Sequence, residues 1–507
     1  MKIKNLRWVI LSLIALVTII NYLDRGTLNY MWVANVTSKY EIAREFKPGM
    51  TNVAVADQTG TNYQLYDKNG SPMAIVPAAE ATESNDGMLI YTKRGGIAKD
   101  LGFVDTTLDE AAQNKQAKEY LAWITMCFMV AYGISQLVSG KIYDKIGTRR
   151  GFAISAIIWG LSDALTSMAV GIKSLSFFRI TLGLGEAGPW PGTTKSNAEW
   201  FPTKERAFAQ GVFGASASVG SVIAPVIIPL LYLYSGWHVT FMIVGSLGLL
   251  WVIPWLIINK KSPKEHPWIT DQERELIESG QPKMVSIDDK PLSWGALLKD
   301  KNSYSVILGR FFLDPIWWMF VTWLPIYLME VFHLDIKEIA MSAWIPYVGA
   351  AVGSLSGGWT SGALIKRGYP VLKARKVTMY IGCVIVLPSM VLAAYAQSAL
   401  MAVTLMAFIL GGFQFIITNI QTLACDLHTG KSVGSLAGLG GFSAVLGVLI
   451  TMYLVPQLTT GGNWTLFFVM GAMLAPLSIL SVMLSLRGHK PGAGDHCDGN
   501  CDYKQMN

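Results

Sequence analysis

Arg179 and Glu186 lie seven residues apart in the stretch FFRITLGLGEAGPWPGTTKSNAEW, Phe177–Trp200. Seven residues is close to two helical turns, so in a helix both side chains project from one face. The chemistry they offer is a carboxyl that can change its protonation state beside a guanidinium that cannot. Their surroundings are apolar. A charge inside a membrane span costs on the order of several kcal/mol, so it faces a partner or a water-filled cavity. Gly183, Gly185, Gly188 and Gly192 thin the same helix and let a neighbour or a solute approach its backbone. Pro189 and Pro191 interrupt the hydrogen-bond ladder just past the Glu. The plainer alternative is a kinked structural helix whose Arg and Glu pair with neighbours. A second charged couple, Asp24–Arg25, sits deep in the first apolar run of the chain.

These residues need a membrane to hold them. The chain has 507 residues, 52% hydrophobic and only 15% charged, against about 25% charged in a soluble domain. Apolar runs of roughly 20 residues recur along it, the length needed to cross a bilayer. The expected fold is an all-α polytopic membrane protein with twelve transmembrane helices in two pseudo-symmetric six-helix bundles. The first helix occupies 1–35. It starts after Lys2, Lys4 and Arg7 and continues through NYLDRGTLNYMW, with no small-residue cleavage site of a signal peptide. Residues 36–117 are polar and rich in turn signals. NYQLYD, PMAIV and GMLIY alternate like strands, and Asn69-Gly70 suggests a hairpin turn, which predicts a small β-rich extracytoplasmic insert. Asn35-Val36-Thr37 is a formal glycosylation sequon.

Spans are expected at 120–139, 152–170, 174–195, 208–230 and 237–258, completing an N-terminal bundle over 118–259. A charged linker with a short amphipathic helix fills 260–302. The C-terminal bundle, 303–486, holds spans near 303–329, 338–360, 376–395, 398–420, 433–456 and 463–486. A polar tail, 487–507, ends the chain. Lys and Arg gather in GKIYDKIGTRRG, at Lys204 and Arg206, in the linker and in IKRGYPVLKARK. That bias puts those connections and both termini on the cytoplasmic side. The net charge of +7 is thus a matter of topology, and nucleic acid is not read from it. Cys127, Cys383 and Cys425 lie in or beside apolar spans and read as small hydrophobes. His496-Cys497 and Cys501 in the tail fall short of a four-ligand set, so no metal is expected.

GKIYDKIGTRRG resembles the loop signature of the major facilitator superfamily, with Gly140, Asp144, Lys145, Gly147, Arg149 and Arg150 on its glycine, acid and basic positions. GGWTSGALIKRG, six helices later, reads as a second copy, with Gly362 where the Asp would stand. The resemblance implies a gating role for Gly140, Asp144, Arg149 and Arg150, the Asp accepting hydrogen bonds from the opposing half. NYLDR, RxxLGxxEAGxxPG and WFPTKERAFAQGVFGASASVGSVIAP are similar to the anion:cation symporter family, and RFFLDPIWWMFVTWLPIYL resembles its hexuronate branch. The likeness covers every span and fails for the insert and the tail.

It implies substrate-binding roles for Arg25, Arg179, Tyr132 and Gln136, and proton-coupling roles for Asp24 and Glu186. Arg310, Asp314, Trp317 and Trp318 come from the hexuronate-like stretch, with Trp317 expected at the substrate. Asn419, Gln421 and Ser443 are polar enough to face the cavity, and His428 reads as a solvated helix cap. The implied activity is proton-coupled import of a sugar acid, a hexuronate such as galacturonate or glucuronate, by alternating access at the midplane. The implied setting is a monomer in the inner (plasma) membrane, with the bilayer and the small acid as partners and no cofactor beyond the proton. Alternatives are another organic anion (aldonate, hexarate or sugar phosphate) and, in a different class, a transporter-like sugar-acid sensor. No Walker loop, nucleotide fold or catalytic triad is present, so neither ATP-driven transport nor enzymatic catalysis is expected.

Overall fold

The computed structural model describes residues 2–32, 34–78, 81–84, 87–103, 105, 110–281, 292–332, 334, 341–428, 432–459 and 463–487. His496, Cys497 and Cys501 lie outside the described residues. The chain divides into two units, one made of Met1–Thr27, Ile124–Ala169 and Lys173–Asn507, the other of Leu28–Trp123 with Val170–Ile172.

The smaller unit is built on a six-stranded sheet: β1 (Ala34–Ala43), β2 (Val53–Ala56), β3 (Asn62–Tyr66), β4 (Pro72–Pro77), β5 (Ala81–Glu83) and β6 (Met88–Gly95), in the order β4-β3-β2-β1-β6-β5. Only β1 and β2 run parallel. Three of the expected strands are β3, β4 and β6. The hairpin between β3 and β4 turns over Asp67, whose carboxylate accepts from the Asn69 and Ser71 amides, with Gly70 at φ 80°. Tyr40, Ala54, Tyr63, Leu65, Val76 and Leu89 form a core of its own. A short helix, α2 (Ile97–Asp100), follows the sheet.

The larger unit is helical, entered by α1 (Leu6–Trp32) and α3 (Glu110–Thr166) and continued by α4 (Ile172–Glu186), α5 (Pro189–Trp200) and α6 (Thr203–Ile258). After the linker helices α7 (Asp271–Ser279) and α8 (Trp294–Lys299) come α9 (Tyr304–Phe332), α10 (Ile345–Lys366), α11 (Val371–Ala393), α12 (Ala399–Leu427), α13 (Val433–Leu458) and α14 (Thr465–Ser485). Among the described residues, 8 helices are long and apolar enough to cross a membrane. The difference from the expected twelve has physical causes. α4 and α5, 15 and 12 residues long, are each shorter than the roughly 20 residues a span needs. α10 is rich in Gly and Ser. α3 and α6, 57 and 56 residues long, each consist of two helices run together across a kink.

A straight 57-residue helix would measure about 85 Å at about 1.5 Å per residue. α3 instead turns at Gly147, where φ 81° and ψ 165° suit a residue without Cβ. Across that turn the Tyr143 and Phe152 rings lie 5.5 Å apart and Tyr143 Oη donates to Ser155 Oγ at 3.2 Å. Gly236, at φ 74° and ψ 171°, breaks α6 in the same way.

In lipid the hydrophobic effect gives little force between helices, so close backbone packing supplies it. The glycines of α4 and α5 do this. A Cβ on Gly183 would come within 2.7 Å of the Phe128 carbonyl, and one on Gly185 within 2.6 Å of the Trp159 amide. Two further seams join the chain before the linker helices to the chain after them. Gly140 and Gly438 bring α3 against α13, and Gly211 and Gly358 bring α6 against α10.

Candidate functional site

The helical unit holds a cavity that is partly open to solvent. Arg25, Tyr132, Gln136 and Trp190 line one side. Arg310, Asp314, Trp317 and Trp318 of α9, with Gln421 of α12, line the other.

Arg25 is the centrepiece. Its guanidinium lies 5.1 Å from the Tyr22 and Tyr132 ring centres, 5.8 Å from Phe128 and 5.9 Å from Trp318. Such a box favours a delocalised cation. Arg25 Nε and Nη2 donate to one oxygen of Glu186, Oε2, at 3.0 and 2.9 Å. Glu186 Oε1 is buried with no hydrogen-bond partner. In the same cavity, Arg310 donates to Asp314 Oδ2 at 3.1 and 2.7 Å, and Asp314 Oδ1 is likewise unpartnered. Each cavity guanidinium thus already holds a carboxylate, and each carboxylate keeps a free oxygen. Gln136 Oε1 also has no partner. Trp317 stacks on Phe413 with centroids 5.9 Å apart.

The other expected residues are placed differently. Arg179 is buried away from the cavity wall, 3.9 Å from Asp163 and against the Phe241 ring at 5.3 Å. Asp24 is fully buried, both oxygens without a hydrogen-bond partner, within Coulombic reach of Asp163, Glu186 and Arg179. Asn419 donates to the Phe415 and Gly357 carbonyls at 3.0 and 3.4 Å, and Ser443 to the Ile307 carbonyl at 2.9 Å, so both satisfy backbone. His428 contacts Asp300 at 3.3 Å. Asp163 had no place in the sequence reading. Its signal was the same as that of Arg179, a charge alone in an apolar run.

A family model for the Major Facilitator Superfamily matches residues 14–443. The chain belongs to the major facilitator superfamily. It is therefore a membrane transport protein and not an enzyme. It is 31% identical over 376 residues to the hexuronate transporter of Escherichia coli (strain K12), covering 73% of this chain and 85% of that one. It is also 31% identical over 303 residues to the galacturonate transporter of Dickeya chrysanthemi, covering 59% and 86%. The solved structure of the proton:xylose symporter XylE bound to 6-bromo-6-deoxy-D-glucose matches the fold with a TM-score of 0.59 at 15% identity, over 79% of this chain and 91% of that one.

In this major facilitator fold the signature loop sits at one of the seams. Asp144 accepts from the Gly434 amide at 3.0 Å and from the Ser435 amide and hydroxyl at 2.6 Å each, and pairs with Lys195 at 3.1 Å. A carboxylate on the first amides of α13 meets its unsatisfied donors and its dipole together. Gly140 lies on the same seam, where a Cβ would run into the Gly434 carbonyl. Arg149 and Arg150 are elsewhere. Arg149 donates to the Leu256 carbonyl at 3.0 Å, bracing the end of α6, and Arg150 is exposed.

At the second seam Gly362 packs on the Lys204 carbonyl, where a Cβ would come within 2.8 Å. There is no room for an acid. Asp426 supplies the charge instead, taking Arg375 at 2.9 Å and Arg206 at 3.7 Å.

Proposed function

We propose that the protein is a proton-coupled symporter that imports a sugar acid, a hexuronate such as galacturonate or glucuronate. The observation that carries this reading is the contact of Glu186 with Arg25, a guanidinium in the wall of an aromatic-lined cavity. A substrate carboxylate needs the guanidinium fork that Glu186 now occupies, and a fork binds one carboxylate well. A proton arriving from outside neutralises Glu186 and releases the fork. The substrate carboxylate then takes it, Tyr132 and Gln136 meet sugar hydroxyls, and Trp317 and Trp318 cover the ring. Once the site faces inward, loss of the proton restores Glu186 as a competitor and expels the substrate. Asp24 serves as a second proton-loading group and Arg179 holds the acids in place.

The same reading assigns twelve spans. Cutting α3 at Gly147 and α6 at Gly236, and joining α4 to α5, turns the helices into six before the linker and six after it. The Lys and Arg bias then puts both termini inside the inner membrane's cytoplasmic face, and the insert outside, in a monomer. On this assignment the Asp144 and Asp426 seams close the cytoplasmic end, and import requires them to part.

The test is uptake of labelled galacturonate into vesicles with and without an inward proton gradient. Gradient-dependent accumulation is expected, and uptake indifferent to the gradient ends the symport reading. A second reading, a hexarate or other organic anion, is favoured by Arg310, a second guanidinium lining the same cavity as Arg25. Competition by a panel of mono- and diacids separates the two.

A further inference from the structure

We propose that Asp163 is a third carboxyl of the proton-loading cluster, serving as counter-ion of Arg179 and sharing one resident proton with Asp24. The inference rests on the symport reading and adds a residue to it.

Asp163 is the only ionisable residue between Arg150 and Lys173. It is fully buried. Its Oδ1 lies 3.9 Å from Arg179 Nη2, yet neither Asp163 oxygen has a hydrogen-bond partner, and Arg179 Nε and Nη2 have none either. A purely structural Arg–Asp pair in such a place closes into a bidentate fork at about 2.7–2.9 Å. This pair is slack.

The charges that face one another in this part of the helical unit are Asp24, Asp163 and Glu186 against Arg25 and Arg179. The Trp159 indole faces Asp24, and the Phe241 ring covers Arg179. Three carboxyls against two guanidiniums leave one negative charge over. An uncompensated buried charge is expensive, and the usual remedy is a proton. Glu186 is held by two hydrogen bonds from Arg25 and is the poorest place for it. Asp163, whose oxygens have no hydrogen-bond partner, and Asp24, faced by the Trp159 indole, are the two that remain. Two buried carboxyls within each other's field do not both stay ionised, so one proton resides on the pair.

Galacturonate uptake into vesicles, followed against external pH, distinguishes the outcomes for wild type, D163N and D163E. In D163N a proton on Asp24 loses a neighbouring negative charge and Arg179 loses its counter-ion. Both changes make loading need more acid, so the half-maximal pH moves down by about one unit, while substrate exchange persists. D163E restores the wild-type midpoint. A merely structural Asp163 lowers the rate and leaves the midpoint alone, and that result overturns the proposal. Wild-type uptake indifferent to the gradient sinks the symport reading instead. Thermal melting in detergent tests the counter-ion claim without any substrate, and also covers a D163N that does not fold. The D163N/R179Q pair should be more stable than R179Q alone, and no rescue overturns the proposal.

Discussion

On the proposed coupling, Glu186 and a bound carboxylate compete for one guanidinium, and a single substitution should separate binding from coupling. Glu186→Gln keeps the shape and removes the titratable group. Accumulation against a gradient should vanish while exchange of labelled for unlabelled galacturonate continues. Persistent accumulation would make Glu186 structural. Arg25→Lys keeps the charge but loses the fork and the flat face between aromatic rings, so KM should rise about tenfold or more. Asp24, Arg25, Arg179 and Glu186 were legible because a charge in an apolar run stands out. Asp163 carried the same mark and had no motif around it to draw the eye. Asn419 and Ser443 show the converse. An uncharged polar side chain in a span can face a cavity or bond its own backbone, and its type alone does not distinguish the two.

At the scale of elements, the Asp144 seam is a helix end held by a side chain from another helix. Asp144→Ala leaves two amides and a hydroxyl of α13 without their acceptor, a loss of about 1–3 kcal/mol if they stay buried. The expected result is a seam that opens more often. Cys425 reports on it, since the residue is 2% exposed and its thiol lies 3.1 Å from the Thr194 carbonyl. N-ethylmaleimide labelling of Cys425, read by mass spectrometry, should be faster in the variant. An unchanged rate would show that Asp144 does not hold this seam shut. The glycines and the loop repeat announced close helix contacts in advance. Which helices they join, α3 with α13 and α6 with α10, was not readable, because a glycine records that something approaches and not what. The replacement of the second acid by Asp426 was equally hidden, since Asp426 lies 64 residues beyond Gly362 in sequence.

For the molecule as a whole, membrane character followed from the charge deficit and the long apolar runs, and β3, β4 and β6 followed from alternation. β1, β2 and β5 escaped notice. β1 reads ANVTSKYEIA, without clean alternation, and the other two are 4 and 3 residues long. The sheet has its own core, and its first strand begins opposite the end of its last, Ala34 against Gly95. A segment whose ends meet can be replaced by a short loop at small cost. Replacing 36–94 by a few Gly and Ser residues should leave galacturonate uptake within a few-fold of wild type. Lost uptake, with the protein still in the membrane, would tie the sheet to transport. The two cavity couples, Arg25 with Glu186 and Arg310 with Asp314, each sum to zero. Under the proposed coupling a monoanion that enters with the Glu186 proton alone displaces no charge, whereas a second proton carried on Asp24 leaves one unbalanced charge, on which 100 mV exerts ~2.3 kcal/mol. Collapsing the voltage while the interior stays alkaline would therefore spare uptake with one proton and slow uptake with two.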